Sequence, residues 1–144
     1  MTLSVILAAK GGDVVTTTPD QTLRDTVRTL GRMKIGAIVV VDGERHVRGI
    51  VSERDIIRAV ATRDLTVLED PVSGHMTTRV ETAAPDSSVR DAMERMTTGR
   101  FRHLPVVEKG RLTGLVSIGD LVKYRLSEME NENQAMRDYI TAVA

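Results

Sequence analysis

The chain has 144 residues, 41% of them hydrophobic, and its twenty basic and twenty acidic side chains cancel. That balance argues against general nucleic-acid binding, which needs a net basic footprint, and against a polybasic membrane anchor. With no cysteine, disulfides and thiol catalysis are excluded, and with Phe101, Tyr124 and Tyr139 as the only aromatics the core must be aliphatic.

No apolar run approaches the roughly 18 residues of a membrane span. Val5-Ile6-Leu7-Ala8-Ala9 is too short for a signal-peptide core and lacks a basic flank before it, so the expected compartment is the cytoplasm. Val14–Thr16 reads as a short strand. After Pro19, with Asp20 or Thr22 as the start signal, Leu23, Val27, Leu30 and Met33 recur every three or four residues and predict an amphipathic helix. Two β-rich runs follow, Ala37–Val41 and Val47–Val51, joined at the turn signal Asp42-Gly43. Ile56, Ile57 and Val60 begin a second helix. Thr62 to Asp70 is the expected connector, and Pro71 opens a short helical turn through Met76.

The pattern then repeats. Val80–Thr82 is the short strand, Val89, Met93 and Met96 the helix, and Leu104–Val107 and Leu112–Val116 the hairpin around Lys109-Gly110, with Leu121 and Val122 opening the last helix. Thr16-Thr17-Thr18-Pro19-Asp20 returns 66 residues later as Thr82-Ala83-Ala84-Pro85-Asp86, and Gly49-Ile50-Val51-Ser52 returns 65 residues on as Gly114-Leu115-Val116-Ser117, the lost residue falling in the hairpin turn. The preludes also align, Ile6 with Val72 and Val14 with Val80. Each copy is a β-α-β-β-α unit with too few strands to be stable alone, so the fold class is α+β, two pseudo-symmetric repeats packed sheet to sheet with helices outside. The expected divisions are 1–68 (first repeat with an N-terminal helix), 69–127 (second repeat) and 128–144 (helical extension).

Function is sought where the copies meet. Gly49-x-x-Ser52-x-x-Asp55 and Gly114-x-x-Ser117-x-x-Asp120 stand where a strand ends and a helix begins. Ser followed three residues later by an acid is a capping box, which needs no ligand. Its recurrence with the same glycine and strand points further. A carboxylate accepts both hydroxyls of a cis-diol such as ribose, glycine lets backbone approach closely, and a helix N-terminus favours phosphate.

With Arg102-His103-Leu104-Pro105-Val106-Val107 ahead of Gly114-Leu115-Val116-Ser117-x-x-Asp120, the chain resembles a pair of cystathionine β-synthase (CBS) domains, a Bateman module, over about Leu3 to Ser127. The resemblance implies a stand-alone regulatory protein that binds an adenosine-containing ligand such as AMP, ADP or ATP, with NAD or S-adenosylmethionine as further candidates. It places Asp55 and Asp120 on ribose hydroxyls beside Ser52 and Ser117, with Ile50 and Leu115 sandwiching adenine. Each site borrows from the other copy: Asp55 and Ser52 share a cleft with Thr78, Val80, Phe101, Arg102 and His103, while Asp120 and Ser117 share one with Gly12, Val14 and Ile35. Arg54, Arg102 and His103 then fall in the Asp55 cleft, which is expected to hold the phosphate-bearing ligand more tightly. Copy one departs from the family pattern at Val39, which stands opposite Pro105.

No phosphate-binding glycine loop, nucleophile beside a base or metal-ligand cluster is present, and His46 and His75 lie in different loops, so neither an enzyme nor a metal site is expected. Beyond Asp120 no proline or glycine interrupts the chain, and Val122, Leu126, Met129, Asn133, Met136, Ile140 and Val143 step alternately by four and three. That spacing is a heptad seam with one asparagine, or else a helix lying along its own domain. A homodimer and an unidentified regulated protein acting in trans are the expected partners. The alternative function is a dimeric scaffold whose motifs are only helix caps.

Overall fold

Helix α2 (Leu23–Met33) starts where Thr22 accepts the Asp25 N–H at 3.1 Å, and α4 (Val89–Gly99) where Ser88 accepts the Asp91 N–H at 3.0 Å. Each cap satisfies one of the free N–H groups of a first turn. Both helices end on a left-handed residue, Lys34 and Arg100. The buried face of α2 is Leu23, Thr26 and Leu30, whereas Val27 and Met33, read from the sequence as part of the apolar stripe, are exposed. Thr26 replaces them because its hydroxyl donates to the Thr22 carbonyl one turn back, so it enters the core with its polar atom paired.

The computed structural model describes residues 1–11 and 13–143. Helix α1 (Leu3–Lys10) precedes strand β1 (Thr16–Thr17), which pairs in parallel with β2 (Ala37–Val41); β2 pairs antiparallel with β3 (Val47–Ser52), and α3 (Glu53–Arg63) follows directly. Two 3-10 turns, Leu65–Glu69 and Val72–Gly74, lead into the second copy. There α4 is followed by the antiparallel pair β4 (His103–Glu108) and β5 (Arg111–Ser117), then by α5 (Ile118–Val143). The short strand expected at Val80–Thr82 shrinks to one parallel bridge between Ala83 and Val106, made by the Ala83 N–H to Pro105 and the Val107 N–H to Ala83. Pro105 has no N–H to extend that ladder.

The two hairpins differ in the turn, as the one-residue offset predicts. Lys109 and Gly110 both take positive φ, 52° and 79°, the two-residue turn that matches strand twist. In copy one the connection runs from Asp42 to His46, and Asp42 Oδ1 accepts the N–H groups of Glu44 and His46, each at 2.9 Å. Arg45, not Gly43, carries the positive φ there. In both hairpins the register shifts one residue after Val40 or Val106.

Strand β2 is buried on both faces: Ile38 and Val40 point into the core of copy one, Val39 and Val41 toward copy two. Val39, Val41 and Leu112, flanked by Val14, Val47 and Leu115, form the apolar contact between the copies. The outer cores are built with exchanged segments. Leu3 and Ile6 of α1 sit in the core of copy two with Ala92, Leu104, Val116 and Leu121, while Val67 and Val72, from the segment between α3 and α4, sit in the core of copy one with Leu23, Ile38 and Val51. The alignment of the preludes is also three residues different from that expected: the Leu3 N–H bonds to Ser87 as the Val72 N–H bonds to Gln21, so Val72 corresponds to Leu3 and not to Ile6. An α-helix in one prelude and 3-10 turns in the other advance the chain at different rates, which hides this match from a fixed offset.

Candidate functional site

Each carboxylate singled out in the sequence hangs from the first turn of a helix that starts at a strand end. In copy one, Asp55 Oδ2 accepts the Ser52 N–H at 2.9 Å and the Ser52 hydroxyl at 3.0 Å, and the Asp55 N–H returns to Ser52 Oγ at 3.3 Å. In copy two, Asp120 Oδ2 accepts the Ser117 N–H at 2.8 Å and the Asp120 N–H reaches Ser117 Oγ at 3.1 Å. Both motifs are therefore capping boxes. The cap fixes each carboxylate where its remaining capacity can face outward.

What lies against that capacity differs between the copies. At Asp55 the Thr77 hydroxyl reaches Oδ1 at 3.3 Å, and Thr77 is clamped to the strand by two backbone hydrogen bonds with Ile50, at 2.9 and 3.0 Å. At Asp120 the last residue of α1, Lys10, places its ammonium 2.8 Å from Oδ2 and donates to the Leu115 carbonyl at 2.9 Å. Asp120 Oδ1 takes no hydrogen bond among the described residues. Burial by itself would push the Asp120 carboxyl up, but the Lys10 ammonium and the Ser117 backbone and hydroxyl outweigh it and hold the group below the usual carboxylate range.

The motif glycines answer to these same segments. A Cβ on Gly49 would lie 2.6 Å from Met76 Sδ and 2.9 Å from the Thr77 carbonyl, and one on Gly114 would lie 2.6 Å from Leu7 Cδ2. The sequence offered a bound ligand as the reason for close approach at these glycines; the structure puts the protein's own exchanged preludes there.

Beside Asp120 an open cavity of about 300 Å³ is lined from both copies, by Lys10, Val14, Lys34 and Ile35 on one side and His103, Leu115 and Ser117 on the other. Val14, Ile35, Leu115 and Ser117, expected to share one cleft, are thus brought together. Gly12, expected with them, lies outside the described residues. His103, expected in the Asp55 cleft, lines this cavity, where the β4–β5 ladder pairs it directly with Ser117. Burial first, then the nearby Arg102 and Lys10 charges, lower the His103 pKa and keep the imidazole neutral near pH 7.

Of the residues assigned to the Asp55 side, Ser52, Asp55 and Ile50 stand together with Thr77, the neighbour of Thr78. Arg54, Thr78 and Arg102 are exposed and Val80 is half-buried. Phe101 packs on the core of copy two, its ring against Gly99. Sequence reasoning missed Lys10, Lys34 and Thr77. Lys10 belongs to a segment counted with copy one, and only the exchange of preludes brings it to Asp120.

Among the described residues no helix is long and apolar enough to cross a membrane, and no group of three or more His, Cys, Asp or Glu could hold a metal ion. The family model described as CBS domain matches twice, over residues 10–62 and 72–127. A mitochondrial CBS domain-containing protein of Arabidopsis thaliana is 34% identical over 96% of this chain and 71% of its own length. The crystal structure of a CBS-domain-containing protein of Agrobacterium tumefaciens superposes with a TM-score of 0.83 at 46% identity, covering 87% of this chain and 99% of that one. A third structure, a CBS domain pair in complex with 5′-methylthioadenosine and S-adenosyl-L-methionine, superposes with a TM-score of 0.79 at 22% identity over 89% and 98% of the two chains. Two family matches in tandem, on two copies that share one core and exchange their preludes, make this chain a member of the CBS domain family in its paired form.

Proposed function

We propose that this protein is a regulatory module that binds an adenosine-containing ligand of the AMP, ADP or ATP type in the cleft at Asp120, acting in trans on a partner protein and catalysing nothing itself. The cleft supports this because both copies line it and, among the described residues, Asp120 Oδ1 takes no hydrogen bond. A ribose diol takes both carboxylate oxygens, adenine packs on Leu115, Ile35 and Val14, and a phosphate meets Lys10, Lys34 and the start of α5. The binding of adenosine compounds by a pair of the same fold supports the ligand class. A ligand that touches both copies stabilises one relative angle over others, which is what a regulatory response requires.

The Asp120 cleft carries cations on its wall, since Lys10 and Lys34 both line it. A second reading, a scaffold with no small-molecule ligand, is favoured by one observation: each aspartate is already engaged in a helix cap.

Thermal shift with AMP, ADP, ATP, NAD, S-adenosylmethionine and GTP tests the choice. At about 100 times Kd a ligand adds about 2.7 kcal/mol, or roughly 5–10 °C in Tm for a chain of this size. Asp120→Ala removes hydrogen bonds to a charged acceptor and weakens binding about 10–100-fold, measured against the variant's own unliganded Tm. A flat response to every adenosine compound at millimolar concentration favours the scaffold.

A further inference from the structure

Helix α5 carries two apolar faces, and only one of them is used by its own domain. Leu121 is fully buried and Tyr124 packs beside it on the core of copy two, against α1 and α4. On the other side Val122, Leu126, Met129, Met136, Ile140 and Val143 are 42 to 68% exposed, and with Asn133 they form a seam over the whole helix. The helix continues to Val143, sixteen residues past the end of the second family match at residue 127. Its 26 residues span about 39 Å.

The alternating steps of four and three assign Leu126, Asn133 and Ile140 to heptad position a, and Val122, Met129, Met136 and Val143 to position d. Leu121 and Tyr124 then occupy c and f, so docking to the domain leaves the a/d seam free. The flanking positions carry the partner's identity. Position g holds Arg125 and Glu132, position e holds Glu130 and Arg137. In a parallel pair g faces e five residues on in the second helix, which sets Arg125 against Glu130 and Glu132 against Arg137, opposite charges in both cases. The same register sets Asn133 against its own copy, where two side-chain amides can hydrogen-bond each other. An antiparallel pair that also matches Glu130 with Arg137 leaves Asn133 facing Met136.

We propose that α5 forms a parallel two-stranded coiled coil with a second copy of this chain, in register at Asn133. Sedimentation velocity on the full chain from about 1 to 100 μM tests it, with circular dichroism melts to show that each variant stays folded. The wild type dimerises in this range. Arg137→Glu sets like charges at both symmetry-related g–e sites and weakens the dimer about tenfold or more, and adding Glu132→Arg restores it. Asn133→Leu tightens association and admits higher oligomers. A wild type that is monomeric at 100 μM, a dimer indifferent to Arg137→Glu, or a failure of Glu132→Arg to rescue each overturns the proposal.

Discussion

Lys10 is the residue through which the proposed ligand cleft can be interrogated most directly. Its ammonium bridges the Leu115 carbonyl at 2.9 Å and Asp120 Oδ2 at 2.8 Å, and its side chain is 41% exposed. An ion pair so open to water contributes about 0.5–1 kcal/mol after screening. A ribose diol that needs both Asp120 oxygens must displace that ammonium from Oδ2. Lys10→Met keeps the aliphatic stem and removes the competitor, so adenosine should bind about 2–5-fold more tightly. AMP should do the opposite. Once displaced, the ammonium stands at the edge of the cavity with Lys34, where a charge-assisted contact to phosphate is worth about 1.5–3 kcal/mol. Losing it outweighs the relief at Asp120 by about 1–2 kcal/mol, or about 5–30-fold in affinity. Isothermal titration of adenosine and AMP into both proteins gives the answer in the sign. If Lys10→Met moves the two affinities in the same direction, the ammonium does not compete with ribose and serve phosphate, and the reasoning fails.

Two further outcomes follow from the same geometry. Gly49→Ala should lower Tm by roughly 5–10 °C, from an overpacking cost of about 2–3 kcal/mol, because the new Cβ meets the Thr77 carbonyl that is pinned to Ile50; Gly114→Ala meets only the Leu7 side chain, which can turn to another rotamer, and should cost about 1 kcal/mol, near 2–4 °C. Equal losses in differential scanning calorimetry would show that the pinned backbone is not what resists the methyl group. The depressed Asp120 pKa sets a pH signature: the stabilisation is fully present above the unfolded carboxyl value near pH 3.9 and is lost as pH falls through the lower folded value. The Tm gap between wild type and Asp120→Asn should therefore be constant from about pH 7 to 5 and close below about pH 4, and a gap that widens on acidification would reverse the sign of the argument.

The repeat made most of the fold legible. Hairpins, capped helices and the one-residue turn difference are local features, and each is set by residues within a few positions of one another: Thr22 with Asp25, Ser88 with Asp91, Lys109 with Gly110. The carboxylate at each helix start was legible for the same reason. The partners of those carboxylates were not. Lys10 lies 110 residues from Asp120, and Thr77 lies 22 from Asp55, and neither type is unusual at its position. Their arrival depends on α1 packing in the core of copy two and on Val67 and Val72 packing in that of copy one, exchanges that leave no trace in periodicity. The motif glycines show the limit from the other side. Their spacing was correctly read as a demand for close approach, but a demand of that kind does not say whether ligand or protein approaches.

The same helix opens at the proposed ligand cleft and ends in the exposed seam, which raises the question of how a ligand could influence the tail. Asp120 belongs to the first turn of α5, and Leu121, the next residue, is fully buried. Pivoting α5 as a lever would withdraw Leu121 from a core it shares with Leu3, Ala92 and Leu104, at a cost of about 2–5 kcal/mol. The hydrogen bonds a ligand gains at Asp120 are worth about 1.5–3 kcal/mol and must also order the ligand. They do not suffice to unseat the helix. The Val39, Val41 and Leu112 contact between the copies is different in kind: its apolar side chains can shift while staying buried, and the hydrogen bonds that tie it, from the Leu112 N–H to the Arg45 carbonyl at 2.9 Å and from the Arg45 side chain to the Leu112 carbonyl at 3.3 Å, lie at its hairpin-turn edge. A ligand bridging Ile35 and Leu115 acts directly across that contact. On the proposed reading the response belongs to the angle between the copies, with α5 carried along by copy two and the proposed coiled coil holding two such units together.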